Sequence, residues 1–266
     1  MLISADGIVL RQRKIANNKR MIVVFTRQYG KISAGTSINE KSRNRSALAL
    51  RPFTLAEYDI FKGRESYSIN SASVKKSYYS IGEDLKRFMA ASRFLVYLDK
   101  VLPDEEPMPQ LYDLAVDFME AASQTSSSAD TLLFAFIVKS FRMLGVMPEM
   151  TCCVNCGRSA ESFGYDAQMR IPGRLKLFSV TGGGIICEDC ANADKRESGA
   201  LIYRPSFDII EVFRFFLSRP LKTFEKVSLK KDVSEQILNI LAEYTSLYLG
   251  VDILGKDDEM EVYNGN

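Results

Sequence analysis

The chain contains no histidine and no tryptophan among its 266 residues. Without histidine there is no Ser-His or Cys-His nucleophile pair, no histidine metal ligand and no imidazole to act as general base. An enzyme built on this sequence would have to work with carboxylates, lysine or tyrosine. Phosphate-cradling signatures are also missing, since neither G-x-x-x-x-G-K-[ST] nor G-x-G-x-x-G occurs. Gly182-Gly183-Gly184 runs into a cysteine pair, not a helix, and reads as a turn. No apolar stretch approaches the roughly 18 residues that a membrane span needs. The opening Met1-Leu2-Ile3-Ser4-Ala5-Asp6-Gly7 lacks the basic and apolar regions of a secretion signal, so a cytoplasmic location is expected.

What is present is ordinary in bulk and uneven in detail. Hydrophobic residues make up 46% and charged residues 26%, enough apolar material for a packed core. At roughly 100–200 residues per domain, one to three domains fit the length. The net charge is only +2, from 35 Lys and Arg against 33 Asp and Glu. Residues 1–80 carry 15 basic and 5 acidic side chains, a net of +10; the other 186 carry 20 and 28, a net of −8. Such a split points to a basic module that meets an anion, joined to a mildly acidic one.

The basic module reads as β structure. Gly7-Ile8-Val9-Leu10 is a short apolar run, and Met21 to Thr26 is rich in β-branched residues and too short for a typical helix. Tyr29-Gly30 punctuates it before Lys31-Ile32-Ser33-Ala34 resumes. Phe53 to Phe61 and Ser66 to Ile69 flank a turn at Lys62-Gly63-Arg64. Five short strands in 80 residues suit a small barrel. A polar, basic loop from Asn39 to Ser46 separates the third and fourth strands.

From residue 81 the period becomes helical. Leu85, Phe88, Met89, Leu95 and Leu98 fit one helix face, and Leu111, Leu114, Ala115, Phe118 and Met119 fit another. Residues 130–144 are almost continuously apolar, which predicts a central helix stopped by Gly145 and Pro148. Pro205-Ser206 opens a further helix that ends by Pro220, and the last runs from about Asp232 to Leu249 with Gly250 as its stop. The tail beyond Lys256 is acidic.

Five cysteines stand at 152, 153, 156, 187 and 190. Cys153-Val154-Asn155-Cys156 and Cys187-Glu188-Asp189-Cys190 are two Cys-x-x-Cys turns, each able to aim two thiolates at one ion. Together Cys153, Cys156, Cys187 and Cys190 make a tetrahedral sulfur site that suits one structural Zn²⁺ and leaves no position for a catalytic water. An iron–sulfur cluster takes the same four ligands and stays open. Cys152 could replace Cys153, but the two-residue spacer favours Cys153.

In the basic module, Arg11, Arg13, Lys19 and Arg20 flank the first loop, Arg27 and Lys31 flank the turn at Gly30, and Lys41, Arg43 and Arg45 sit in the long loop. Small barrels of the OB type bind single strands with a cationic groove along the phosphates and aromatics against the bases. Phe25, Tyr29, Tyr58 and Tyr67 are the barrel aromatics, with Phe25 and Tyr58 turned inside by alternation.

These residues carry a pattern similar to the RecO family of bacterial DNA repair and recombination mediators. Gly7-Ile8-Val9-Leu10, Thr26-Arg27-Gln28-Tyr29-Gly30-Lys31 and Leu50-Arg51-Pro52-Phe53 resemble its barrel segments. Leu144-Gly145-Val146-Met147-Pro148, the first cysteine pair with Gly157, then Phe178-Ser179, Gly183-Gly184 and the second pair resemble its zinc-bearing form. The resemblance implies an α+β chain: a five-stranded OB-fold barrel over 1–80, then a helical domain over 81–250 with a zinc-finger-like insertion at 150–195, and an acidic tail over 251–266. It implies binding of single- and double-stranded DNA, annealing of complementary strands, nucleoid association, and partnership with RecR and the single-strand-binding protein so that recombinase loads on coated strands. It brings no catalytic residues. The long loop is less basic than the family's usual run, and Ala135-Phe136-Ile137 stands where many members carry Arg-Phe-Glu. Lys139 and Arg142 are the nearby cations left to grip the acidic tail of the single-strand-binding protein. A zinc-ribbon factor that binds RNA or the ribosome, and a carboxylate-Mg²⁺ nuclease, are the competing readings.

Overall fold

The computed structural model describes residues 1–15, 19–38, 45–64, 66–125, 129–162, 177–197 and 200–254. Five strands, β1 (Leu2–Lys14), β2 (Arg20–Thr26), β3 (Gly30–Thr36), β4 (Thr54–Lys62) and β5 (Tyr67–Ser77), close a barrel in the order β1-β2-β3-β5-β4. All neighbours are antiparallel except β3 and β5, which pair in parallel from Ala34 to Thr36. A short helix, α1 (Arg45–Ala49), lies between β3 and β4. It is held by Tyr58, whose buried hydroxyl donates to the Ala49 carbonyl at 2.7 Å. This strand order, with a helix between the third and fourth strands, is an OB-like barrel.

The barrel interior is filled by Ile3, Val9, Ile22, Val24, Ile32, Tyr58, Ile60 and Ile69, with alanines between them. Part of the opposite face of β1 and β2 is covered by helices. Ile8, Leu10, Val23 and Phe25 join the core of the helical region instead. That is why Ile22 to Phe25 is an unbroken apolar run: a strand buried on both faces has no polar face to alternate with. Phe25 is therefore buried, but against helices and not inside the barrel; Tyr58 is the aromatic that fills the interior.

The helical region begins with α2 (Leu85–Val101), capped by Asp84, whose carboxylate accepts the Arg87 N–H at 2.9 Å. It continues through α3 (Pro109–Gln124) and α4 (Ala129–Met143). Most of α4 is buried, and its Phe136 ring stands edge-on to Phe94 and Phe118, which stack on each other at 4.1 Å. After a small sheet of β6 (Leu177–Ser179), β7 (Gly184–Ile186) and β8 (Ile202–Tyr203), in the order β7-β6-β8, come α6 (Ile209–Ser218) and α7 (Lys231–Leu249); α5 (Glu188–Glu197) lies between β7 and β8. The sequence periods anticipate the bounds of α2, α3, α4 and α7 closely, but Leu85 and Met89 of the expected α2 stripe lie exposed and its buried face runs instead through Ala91, Phe94, Leu95 and Leu98. Helix α6 starts later than Pro205-Ser206, because Asp208 takes the cap by accepting from the Ile210 and Glu211 N–H groups. The triple glycine does turn between β6 and β7, and a Cβ at Gly184 would lie 2.3 Å from the Glu149 carbonyl oxygen.

Two features read from sequence, most of the loop from Asn39 to Ser46 and the tail beyond Lys256, fall in segments outside the described residues. No described helix is long and apolar enough to cross a membrane.

Candidate four-cysteine centre and nucleic-acid interface

The Sγ atoms of Cys153, Cys156, Cys187 and Cys190 all lie within 4.8 Å of one another. The first pair sits in a tight turn, closed by the Gly157 N–H donating to the Cys153 carbonyl at 2.9 Å and fastened to β7 by Val154 N–H to the Ile185 carbonyl at 3.0 Å. The second pair sits where β7 runs into the first turn of α5, so its thiols face the positive end of a helix. Burial works to raise the Cys153 thiol, but backbone N–H groups of Cys156, Cys187 and Asn155 overcome it and lower it to about 6. Cys187 and Cys190 move up, by burial first; the Cys153 and Cys156 thiols add to both, while Cys190 partly offsets the rise at Cys187. Sulfurs this crowded, with no positive charge between them, resist ionising together, which is the repulsion a dication relieves. A tetrahedral ion with sulfur at about 2.3 Å needs sulfurs about 3.8 Å apart. Cys156 and Cys187 are 3.8 Å apart. The donor set therefore could hold a metal ion, and all four cysteines are free thiols. An exposed ion pair, Arg158 to Asp189 at 3.0 Å, links the two turns from outside. Cys152 lies outside the cluster, its N–H directed to a Glu149 carboxylate oxygen at 3.3 Å.

The nominated barrel cations divide into two groups. Arg11 meets Asp99 at 2.6 Å. Arg27 makes a two-pronged contact with Asp113 at 2.8 and 2.9 Å. Lys31 donates to the Asp99 carbonyl at 2.7 Å and pairs with Asp104 at 3.3 Å. All three of these barrel residues reach carboxylates at the end of α2, on the connection after it, or on α3. Lys76 does the same with Glu120, and Lys62 with Glu105. The β2–β3 turn belongs to this seam. Gly30 has φ +68, and a Cβ there would lie 2.1 Å from the Glu106 carbonyl oxygen, so only glycine lets the turn approach. Arg20 donates to Gln12 at 3.0 Å. Arg13 and Lys19 are exposed at the far end of the β1–β2 ribbon. Lys41 and Arg43 lie outside the described residues; Arg45 opens α1 by its backbone.

On α4, Lys139 is half-buried and donates to the Leu217 carbonyl at 3.1 Å, with burial and then Arg142 lowering its pKa. Arg142 is exposed one turn later. Ala135, Phe136 and Ile137 are fully buried. The acidic partners of the seam were missed from sequence. Charge segregation between the two halves was the available signal, but it does not say which residues meet.

The class the fold and site define is architectural: an OB-like barrel with a basic excess, sharing its core with a helical region that carries a four-thiol centre. The model described as "Recombination protein O N terminal" matches residues 1–78, and that described as "Recombination protein O C terminal" matches 82–257. The chain belongs to the RecO family of DNA repair and recombination proteins. It is similar to the DNA repair protein RecO of Caldanaerobacter subterraneus subsp. tengcongensis, 27% identical over 98% of both chains. It is also similar to that of Alkaliphilus metalliredigens, 25% identical over 94% of both. The protein of the same name in Symbiobacterium thermophilum is 27% identical over 91% of this chain and 90% of its own.

Proposed function

We propose that this chain is a recombination mediator that works by holding strands and partners, not by making or breaking bonds. The observation that carries the reading is the match of both family models across nearly the whole chain, onto a sequence whose basic excess is confined to the barrel. Barrel cations neutralise the phosphates of single- and double-stranded DNA. Two complementary strands held this way repel each other less, so base pairing proceeds. The helical domain, 81–250, docks RecR and the single-strand-binding protein, with Lys139 and Arg142 offered to an acidic tail, and recombinase then loads on the coated strand. Because Arg11, Arg27 and Lys31 are engaged by carboxylates, the strand path falls first on Arg13, Lys19 and the segment carrying Lys41, Arg43 and Arg45. One structural Zn²⁺ on Cys153, Cys156, Cys187 and Cys190 keeps the insertion folded, supported by the sulfur spacing and the donor chemistry. The site of action is the cytoplasm, at the nucleoid.

Fluorescence anisotropy of labelled single- and double-stranded DNA across a salt series tests this. The reading expects binding whose log affinity falls linearly with log salt. Equal or tighter binding of a matched RNA strand would overturn the DNA assignment.

A further inference from the structure

The outer face of β1, β2 and β3 carries a shape that charge alone does not describe. Two cross-strand rows lie side by side there: Arg11–Val23–Ser33 and Arg13–Met21–Gly35. With Ile15 at the end of the ribbon, their side chains bound a depression of about 250 Å³. Ile15 and Met21 are 43% and 37% exposed. Beside Met21 the row ends in a gap, because Gly35 has no side chain and a Cβ there would meet only the Tyr67 carbonyl oxygen, at 4.0 Å. Among the described residues no acidic side chain lines the depression. Arg13 lines it, Lys19 stands exposed across the ribbon end from Ile15, and neither has an ion-pair partner among the described residues. Arg11 forms the wall nearest the helices, drawn aside by Asp99.

An apolar shelf edged by unpaired cations, with a serine hydroxyl on its rim and no carboxylate, suits a flat ring carried on a phosphate chain. A duplex keeps its base faces stacked inside and offers a protein only edges and phosphates. A single strand can lay a base face down. Among the described residues no aromatic lines the depression; Phe25 and Tyr58 are fully buried and Tyr67 is 8% exposed. We propose that this shelf is a base-docking subsite for single-stranded DNA. One base lies across Met21 and Ile15 over Gly35, and the flanking phosphates meet Arg13 and Lys19. The subsite gives the barrel a preference for single strands over duplex, and it rests on the strand-binding reading above.

The test compares anisotropy of a labelled oligothymidylate with that of an abasic strand of equal length, using the full chain. Met21→Ala removes the apolar floor and Gly35→Val fills the gap, so either should weaken oligothymidylate binding about fivefold and leave the abasic strand unchanged. Arg13→Ala should weaken both strands alike and reduce the salt slope by about one. Thermal melting checks that the variants fold, and the two alter the shelf itself in opposite senses, one by loss and one by gain of volume. If the parent binds oligothymidylate and both shelf variants match it, the subsite is wrong and the strand-binding reading stands. If the parent binds neither strand, the strand-binding reading itself falls.

Discussion

Truncation of Phe25 to alanine removes a ring that belongs to a barrel strand but is buried among helices. The ring is fully buried and stands edge-on to Tyr112 of α3, with centroids 5.3 Å apart. Phe→Ala in such a site costs about 3–5 kcal/mol, from lost transfer energy, the residual cavity and the broken ring pair. For a chain of this size, each kcal/mol moves Tm by roughly 2–4 °C, so the midpoint should fall by about 6–20 °C. Because Ile8, Leu10, Val23 and Phe25 share one core with α2, α3 and α4, the loss should be felt by both halves together. Far-UV circular dichroism during urea and thermal unfolding reads helix and strand signals at once. A loss below about 1 kcal/mol, or a helical signal that melts at the parent's midpoint while the strand signal moves alone, would refute the shared core.

Three further outcomes follow from single sites. Tyr58→Phe leaves the Ala49 carbonyl buried without its donor and should destabilise by about 1–2 kcal/mol in urea unfolding, with α1 the first segment to lose hydrogen-exchange protection. Cys153→Ser should abolish stoichiometric zinc binding, read by elemental analysis of the purified chain, and lower the melting temperature; unchanged metal content with unchanged melting would sink the zinc assignment. The Arg27 guanidinium, first by hydrogen bonding, holds the Asp113 carboxyl below its ordinary value of 3.8. A depressed carboxylate contributes stability above its unfolded pKa and loses it as pH falls through its folded one. The stability gap between parent and Asp113→Asn should therefore be constant at neutral pH and close below pH 3.8; a gap independent of pH down to the acid transition would contradict the ion pair.

Much of the architecture is legible in the sequence because it is local. Strands announce themselves through β-branched runs between turn residues, and α3 and α7 through their 3.6-residue period. The four cysteines are legible because the spacing within each pair dictates convergence. What was not legible depends on distant partners. Arg11 and Asp99 are 88 residues apart, and Arg27 and Asp113 are 86 apart, so composition shows two charged populations but not that some of them neutralise each other. Phe25 reads as interior because alternation assigns burial without saying against what. Helix α5 has almost no apolar period, its sequence being Glu-Asp-Cys-Ala-Asn-Ala-Asp-Lys-Arg-Glu, and it forms where the second cysteine pair turns the chain. Strands of two or three residues, such as β6 to β8, are too short for any period to register.

In the proposed function, the basic barrel brings complementary strands together. The rate at which two labelled complementary DNA strands anneal, with and without the protein at two salt concentrations, tests it most directly. Acceleration that weakens steeply at the higher salt is the predicted result; an annealing rate equal to that of the free strands at both salts would contradict it.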